Sequence, residues 1–269
     1  MDLDQLVFKI MDNSNLELNE SQIHRYSRNI ILKDIGGVGQ KKLLSAKVLV
    51  VGAGGLGSPI LYYLAASGIG NIGIIDHDQV EISNLQRQIL HSTRDIRRKK
   101  TISAKEKLID LNPDIKVKVY CDKLTVNNIK NIINDYDFIA DGCDNFDTRF
   151  ILNDNCFSQK KVLISGAVQG FEGYISTFKF NSKISSPCYR CIFPEPPPED
   201  SLDNCSTAGV LGSVAGVVGS LQATEIVKEI LNIGDGLSGW LIIFDGISGE
   251  FRKIKVPKDP KCITCSILP

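Results

Sequence analysis

Val48-Leu49-Val50-Val51-Gly52-Ala53-Gly54-Gly55-Leu56-Gly57-Ser58-Pro59 decides how the rest of the chain is read. Four apolar residues, three of them β-branched, make a buried strand. The glycines that follow form a turn in which no side chain stands between backbone and ligand. Leu56 to Ser67 has the composition of a helix. A strand, a glycine turn and a helix N-terminus together make an anion site, because free backbone N–H groups and the positive dipole end face one point. Gly52, Gly54 and Gly57 fit a dinucleotide fingerprint, and Asp76 follows where a carboxylate can accept hydrogen bonds from a ribose. Alone, this pattern admits NAD first, then FAD or ATP. A glycine turn without a ligand is the bland alternative.

Outward from this unit the elements alternate. A polar helix is expected over 21–33, and Gly36, Gly37 and Gly39 are expected to break the chain. Then come strand 47–52, helix 56–68, strand 70–75 and a polar loop over 78–99. Helix 101–111 is stopped by Pro113. Strand 115–120, helix 126–133, strand 136–140, helix 146–158 and strand 161–165 follow. This rhythm predicts an α/β fold, Rossmann-like and doubly wound, with a mostly parallel sheet. After Gly170 the pattern changes. Residues 174–180, 239–245 and 250–256 read as antiparallel strands that extend the sheet. A long loop over 182–203 contains Pro194-Glu195-Pro196-Pro197-Pro198. In the helix expected over 207–231, Gly212, Gly216 and Gly219 would let another backbone approach. Residues 1–20 read as an N-terminal arm with no assigned chemistry, and 21–269 as one domain.

Composition excludes several classes. The 269 residues carry 31 basic and 31 acidic side chains, so no whole-protein field draws in nucleic acid or a membrane surface. No basic segment followed by an apolar run marks a signal peptide. The longest weakly polar run, 208–221, is too short and too rich in Gly and Ser to span a bilayer. A cytoplasmic location is expected, and the eight cysteines then speak for metal or catalysis rather than disulfides.

Several clusters could carry chemistry. Ser83-Asn84-Leu85-Gln86-Arg87-Gln88 offers the Arg87 fork for phosphate, and Arg97, Arg98, Lys99 and Lys100 follow. Most of these four read more readily as a solvated basic patch. An NAD turn does not need a second set of cations, whereas a triphosphate does, and this favours ATP. Asp144 and Asn145 follow the strand that ends at Asp141, where ligands of such sheets bind. Asp144 suits Mg²⁺ as a hard oxygen ligand, or one of the pair caps helix 146–158. Cys188-Tyr189-Arg190-Cys191 and Cys262-Ile263-Thr264-Cys265 are two Cys-x-x-Cys pairs with the make-up of a closed, structural zinc site. Cys205 stands before a helix start that would lower its pKa, and reads equally as a half-buried cysteine with no role. Cys121, Cys143 and Cys156 read as ordinary core or edge residues. His24, His77 and His91 show no ligand spacing.

These motifs, in this order and together with Arg25-Tyr26-Ser27-Arg28, resemble the MoeB/ThiF/HesA adenylyltransferases, bacterial relatives of the ubiquitin-activating enzymes. The resemblance covers about residues 21–268. It implies that ATP and the C-terminal glycine of a ubiquitin-like sulfur carrier ending in Gly-Gly give an acyl-adenylate and pyrophosphate. It assigns the nucleotide to Gly52, Gly54, Gly55, Gly57, Asp76, Ser83, Asn84, Leu85, Gln86, Arg87, Lys100, Asp144 and Asn145. Gly55 would meet the phosphates, Asp76 the ribose, and Asn84, Arg87 and Lys100 the charge developing at phosphorus. Asp144 would hold Mg²⁺. Arg28 would reach the ATP of the other subunit in a homodimer. Cys188, Cys191, Cys262 and Cys265 would hold zinc, and Cys205 would form a thioester or persulfide. Sulfur would come from a donor protein, a desulfurase or a rhodanese, since no rhodanese domain follows Pro269. Family members often carry Gly three residues before the phosphate lysine, where this chain has Arg97. The Pro-rich segment resembles the molybdopterin-synthase branch, and Asn204 to Val210 resembles the thiamin branch. The molybdopterin-type carrier is expected, with the thiazole-forming carrier as the alternative. Rival readings are an NAD-dependent oxidoreductase and a non-catalytic scaffold for a ubiquitin-like partner.

Overall fold

The computed structural model describes residues 18–180, 186–196 and 209–266. Helix α1 (Glu20–Ile30) starts on a capping box between Asn19 and Gln22 and buries Ile23, Tyr26 and Ile30. The glycines expected to break the chain instead open helix α2 (Gly36–Ser45). At Gly39 the reason is packing. A Cβ on Gly39 would stand 3.0 Å from Ile35 Cγ2 and 3.3 Å from Leu231 Cδ2, so close approach outweighs helix propensity here.

The central unit matches its reading closely. Strand β1 (Lys47–Val51), helix α3 (Gly57–Ser67) and strand β2 (Asn71–Ile75) are followed by α4 (Lys100–Leu111), β3 (Lys116–Tyr120), α5 (Ile129–Asn134), β4 (Phe138–Asp141) and α6 (Phe146–Ser158). Strand β5 (Val162–Gln169) runs further than expected and turns at Gly170 into β6 (Glu172–Lys179). A short helix α7 (Tyr189–Ile192) and a long helix α8 (Gly212–Leu231) precede β7 (Trp240–Asp245) and β8 (Glu250–Lys255). The eight strands form one sheet in the order β3-β2-β1-β4-β5-β6-β7-β8. Pairing is parallel from β3 through β5 and antiparallel from β5 to β8.

Strand alternation fills both faces. Val48 and Val50 enter a core with Leu61 and Leu64 of α3, Leu108 of α4 and Val218 of α8. Leu49 and Val51 enter another with Ile129 and Ile133 of α5 and Leu152 and Cys156 of α6. Each such side chain contributes about 1.5–3 kcal/mol by leaving water. Helix α8 packs against α3 because Gly219 is bare: a Cβ there would lie 2.4 Å from Pro59 Cγ. Gly212 likewise admits the backbone of Gln86, whereas Gly216 has nothing within 4 Å and does not act as expected.

The stretch over 78–99 is also more than a polar loop. It holds two 3₁₀ turns, Ile82–Asn84 and Thr93–Asp95, and two isolated bridges, Gln79 to Lys99 and Val80 to Ile96. Val80, Leu90, His91 and Asp95 are buried within it. The strand order reverses at β1, which lies between β2 and β4, so a crevice opens beyond the carboxyl ends of β1 and β4.

Candidate active site

The crevice is lined by Gly52, Gly54, Gly55, Asp76, Asp78, Arg87, Gln88, Lys100, Asp144 and Arg149, among others, around about 950 Å³ of space including its open mouth. Its glycines divide into two kinds. Gly52 has φ +93°, and a Cβ on it would lie 2.7 Å from the Gly142 carbonyl oxygen. A Cβ on Gly57 would lie 1.9 Å from the Gly52 carbonyl oxygen. The fold itself demands these two glycines. Gly54 and Gly55 are different: their nearest neighbours would be at ordinary contact distance, Gln88 Nε2 at 3.7 Å and Ala215 Cβ at 3.5 Å. Packing does not require glycine there, yet both face the crevice. The bare backbone is a cradle that a methyl group would partly fill, and it fits a phosphate chain.

One wall is basic. Lys100, the first residue of α4, is buried and places Nζ 2.8 Å from Asp78 Oδ2. Burial alone would raise the Asp78 pKa, but Lys100 holds it below the usual carboxylate range. Arg87 lines the crevice and donates from Nη1 to the Ser83 carbonyl at 3.2 Å. Lys99 turns away to the His77 carbonyl at 2.7 Å, and Arg98 pairs with Asp95 and Glu106. Arg97 adopts a left-handed backbone, φ +70°. The glycine-like conformation therefore persists at the place where the resembling family often has glycine. Asp76 accepts from the Ala53 N–H at 2.8 Å and from the Asp78 N–H at 2.8 Å. Ser83, Asn84, Leu85 and Gln86 do not line the crevice. Asn84 instead caps its own turn by accepting from the Glu81 N–H at 3.1 Å.

The opposite wall hangs on Asp141, the last residue of β4. Its Oδ1 accepts from the Cys143 N–H at 3.1 Å and from Cys143 Sγ at 2.8 Å, and its Oδ2 from the Ser165 hydroxyl at 2.7 Å. Arg149 donates from Nη2 to the Cys143 carbonyl at 2.8 Å and keeps Nε 3.9 Å from Asp141. Burial would lower the Arg149 pKa, but Asp141 beside it holds the guanidinium charged. Asn145 caps α6 by accepting from the Thr148 N–H at 2.9 Å. Asp144 is exposed at the crevice and accepts only a long bond, 3.4 Å, from Asn145 Nδ2. The capping alternative thus belongs to Asn145.

Sequence reasoning missed His91, Gln88, Asp78, Asp141 and Arg149. Gln88 adjoins a flagged arginine, and Asp141 marks a strand end, so both carried a signal. Gln88 Oε1 is buried in the wall without a hydrogen-bond partner among the described residues. His91 carried no signal in its spacing. Cys143, read as an ordinary core or edge residue, lines the crevice, and burial together with Asp141 pushes its thiol well up. Arg28 is exposed on α1 and does not line the crevice of its own chain. Cys205 lies outside the described residues.

The four cysteines of the two pairs converge. Cys188 Sγ is 4.0 Å from Cys191 Sγ and 3.5 Å from Cys262 Sγ, and Cys191 Sγ is 3.4 Å from Cys265 Sγ. All four sulfurs lie within 4.8 Å of one another and could hold a metal ion. A tetrahedral site with Zn–S bonds of about 2.3 Å has S–S edges of roughly 3.8 Å, close to these spacings. Burial pushes Cys265 up to about 12 when no cation is present.

A doubly wound sheet with a bare-backbone turn and cations at its switch point defines a Rossmann-like protein with the make-up of a nucleotide site. The chain belongs to the ThiF family, whose model matches residues 26–264. It is 46% identical over 255 residues to "Adenylyltransferase and sulfurtransferase MOCS3" of Culex quinquefasciatus, covering 94% of this chain and 58% of that protein. It is 42% identical over 248 residues to "Sulfur carrier protein adenylyltransferase" of Thermus thermophilus, covering 91% of this chain and 92% of that protein. The chain therefore spans little more than half the length of the MOCS3 relatives. The solved structure of E. coli MccB with ATP shares the fold, with a TM-score of 0.79 at 21% identity over 98% of this chain and 90% of that one. Among the described residues no helix is long and apolar enough to cross a membrane.

Proposed function

We propose that this chain adenylates the C-terminal glycine of a ubiquitin-like sulfur-carrier protein of the molybdopterin-synthase small-subunit type. The observation that carries the reading is the crevice itself. Gly54 and Gly55 leave backbone bare toward it, Arg87 and Lys100 line one wall, and Asp144 stands on the other. The names and high coverage of the Thermus relative support the same reaction. A carboxylate oxygen of the carrier attacks the α-phosphorus of ATP. The bond to the β-phosphate breaks, and pyrophosphate leaves. Arg87 and Lys100 stabilise the negative charge that gathers on the transferring and leaving groups. Lys100 is already desolvated, which strengthens its field at the phosphates. Asp144, free of capping, would hold Mg²⁺, which neutralises the phosphates when bound. The terminal sulfur of a persulfide on a desulfurase or rhodanese-type donor then displaces AMP to give an acyl persulfide. A second thiol cleaves its S–S bond, releasing the thiocarboxylate and forming a disulfide with the donor sulfur.

In this reading the protein works as a homodimer in the cytoplasm. Arg28 is exposed away from its own crevice and would serve the partner's. Zinc on Cys188, Cys191, Cys262 and Cys265 would tie the C-terminal segment to the short helix α7 that follows β6, with no open position for catalysis. Cys205 would act after adenylation. The thiazole-forming carrier is the second substrate considered, on the segment Asn204 to Val210. The deciding experiment is carrier-dependent exchange of labelled pyrophosphate into ATP. Exchange with a Gly-Gly-ended carrier is expected. Its absence with every such carrier of the source genome overturns the reading, and tight nicotinamide binding would replace it.

A further inference from the structure

We infer that His91 is a positioning residue for the nucleotide, setting both the aim of the glycine turn and its distance from Lys100. The inference rests on the reading that the crevice takes ATP. His91 is buried, 6% exposed, and both ring nitrogens are engaged. Nε2 lies 2.9 Å from the Ala53 carbonyl oxygen, and Nδ1 lies 2.9 Å from the Ser103 hydroxyl. A carbonyl can only accept, so Nε2 carries the proton. Nδ1 then accepts from Ser103, and one neutral tautomer satisfies every group.

Covalent geometry gives this bond its consequence. The peptide between Ala53 and Gly54 is planar and trans, so its C=O and N–H point in opposite directions. A carbonyl drawn back onto His91 sends the Gly54 N–H the other way. No hydrogen-bond partner for that N–H is found among the described residues, and Gly54 lines the crevice. The preceding peptide is held as well, because the Ala53 N–H donates to Asp76 Oδ2 at 2.8 Å. The turn is thus gripped from both sides, by the carboxylate expected at the ribose and by a histidine behind it. Ser103 adds the second half of the argument. It lies on α4 one turn beyond Lys100, so the imidazole bridges the helix that carries the cation to the turn that cradles the phosphates. Without the bridge, the Ala53 carbonyl is buried unpaired and the 53–54 peptide can rotate.

The test compares ATP binding, by calorimetry with Mg²⁺, in the full chain and three variants. His91→Gln can still present an amide N–H to Ala53, whereas His91→Asn falls short and His91→Leu has no donor. Expected is a rise in Kd for ATP on the order of tenfold in His91→Leu and His91→Asn, with His91→Gln within about threefold of wild type. In exchange assays the KM for ATP should rise more than kcat falls, and the KM for the carrier should stay unchanged. If His91→Leu does not fold, the Gln and Asn pair decides. Equal affinities in Gln and Asn variants with native melting curves overturn the inference. So does a folded His91→Leu protein that binds ATP as tightly as wild type. A wild-type chain that does not bind ATP overturns the nucleotide reading itself, and this inference with it.

Discussion

The Asp154 carboxylate grips the Arg190 guanidinium through two bonds, Nε to Oδ1 at 2.9 Å and Nη2 to Oδ2 at 2.8 Å. Arg190 lies within the first cysteine pair, and Asp154 lies on α6. Thr264, within the second pair, donates to the same Oδ1 at 2.8 Å. One carboxylate therefore registers both pairs on one helix. Outer contacts of this kind change metal affinity by about 10–100-fold. Asp154→Ala is expected to release zinc to a chromogenic chelator at least about tenfold faster than wild type. An unchanged release rate would mean that the four sulfurs hold their geometry unaided.

The two kinds of glycine should separate in experiment. Gly57→Ala forces a Cβ to 1.9 Å from a carbonyl oxygen and should cost more than about 4 kcal/mol, leaving little folded protein. Gly55→Ala meets only ordinary contacts. It should melt within a few degrees of wild type yet bind ATP at least about tenfold more weakly. Weak binding that tracks lost stability in both variants would erase the distinction.

Arg97 supplies a backbone conformation that a side chain resists. Its φ of +70° costs about 1–2 kcal/mol, part of which glycine recovers. Arg97→Gly should therefore raise stability by up to about 1 kcal/mol, read from the urea midpoint at constant m-value. A clear loss would show that the arginine side chain makes a compensating contact.

His91 also makes stability depend on pH. Burial lowers its pKa below the ordinary 6.5, and Lys100 adds to the effect while the Ala53 bond and the nearby Asp95 and Asp76 oppose it. The unfolded chain then binds a proton at pH values where the folded chain refuses it. Stability is flat above about 6.5, falls as pH drops below it, and levels off once the folded imidazole protonates. One proton limits the slope in that window to at most about 1.4 kcal/mol per pH unit. His91→Gln should lose this slope between pH 6.5 and its acid limit, as seen in urea melts of both proteins. Parallel curves would assign the slope to other groups.

Arg28 and Asp144 should complement each other across subunits. Arg28→Ala and Asp144→Ala proteins are each expected to be inactive in pyrophosphate exchange, and verified mixed dimers to recover a substantial part of wild-type activity. No recovery would remove the role of Arg28 in the partner's site.

Much of this was legible from residue order. The strand–glycine turn–helix unit and the β-α rhythm after it are local patterns, and local patterns survive folding. The two cysteine pairs announced their convergence through ligand spacing. What escaped was set by packing between distant segments. Gly39 lies inside a helix where Leu231, far along the chain, comes within 3.3 Å of where a Cβ would stand. Gly216 was read with its neighbours, but only Gly212 and Gly219 meet another element. His91 lies 38 residues from Ala53 and follows no motif, so nothing short of the fold brings them together. Arg149 sits inside a helix whose sequence reads as ordinary. Only the turn it holds, at Cys143, reveals its use.

Asn145 and Asp144 lead to a consequence for how variation in this chain would be scored. Adjacent residues carry separate duties: the asparagine closes the first turn of α6, while the neighbouring carboxylate contributes almost nothing to that turn. A screen that selects only for abundant, well-folded protein would strongly constrain position 145 and leave position 144 nearly neutral. A screen that selects for turnover would constrain both. Comparing the two surveys at these adjacent codons would tell foldedness from chemistry without a ligand ever being added.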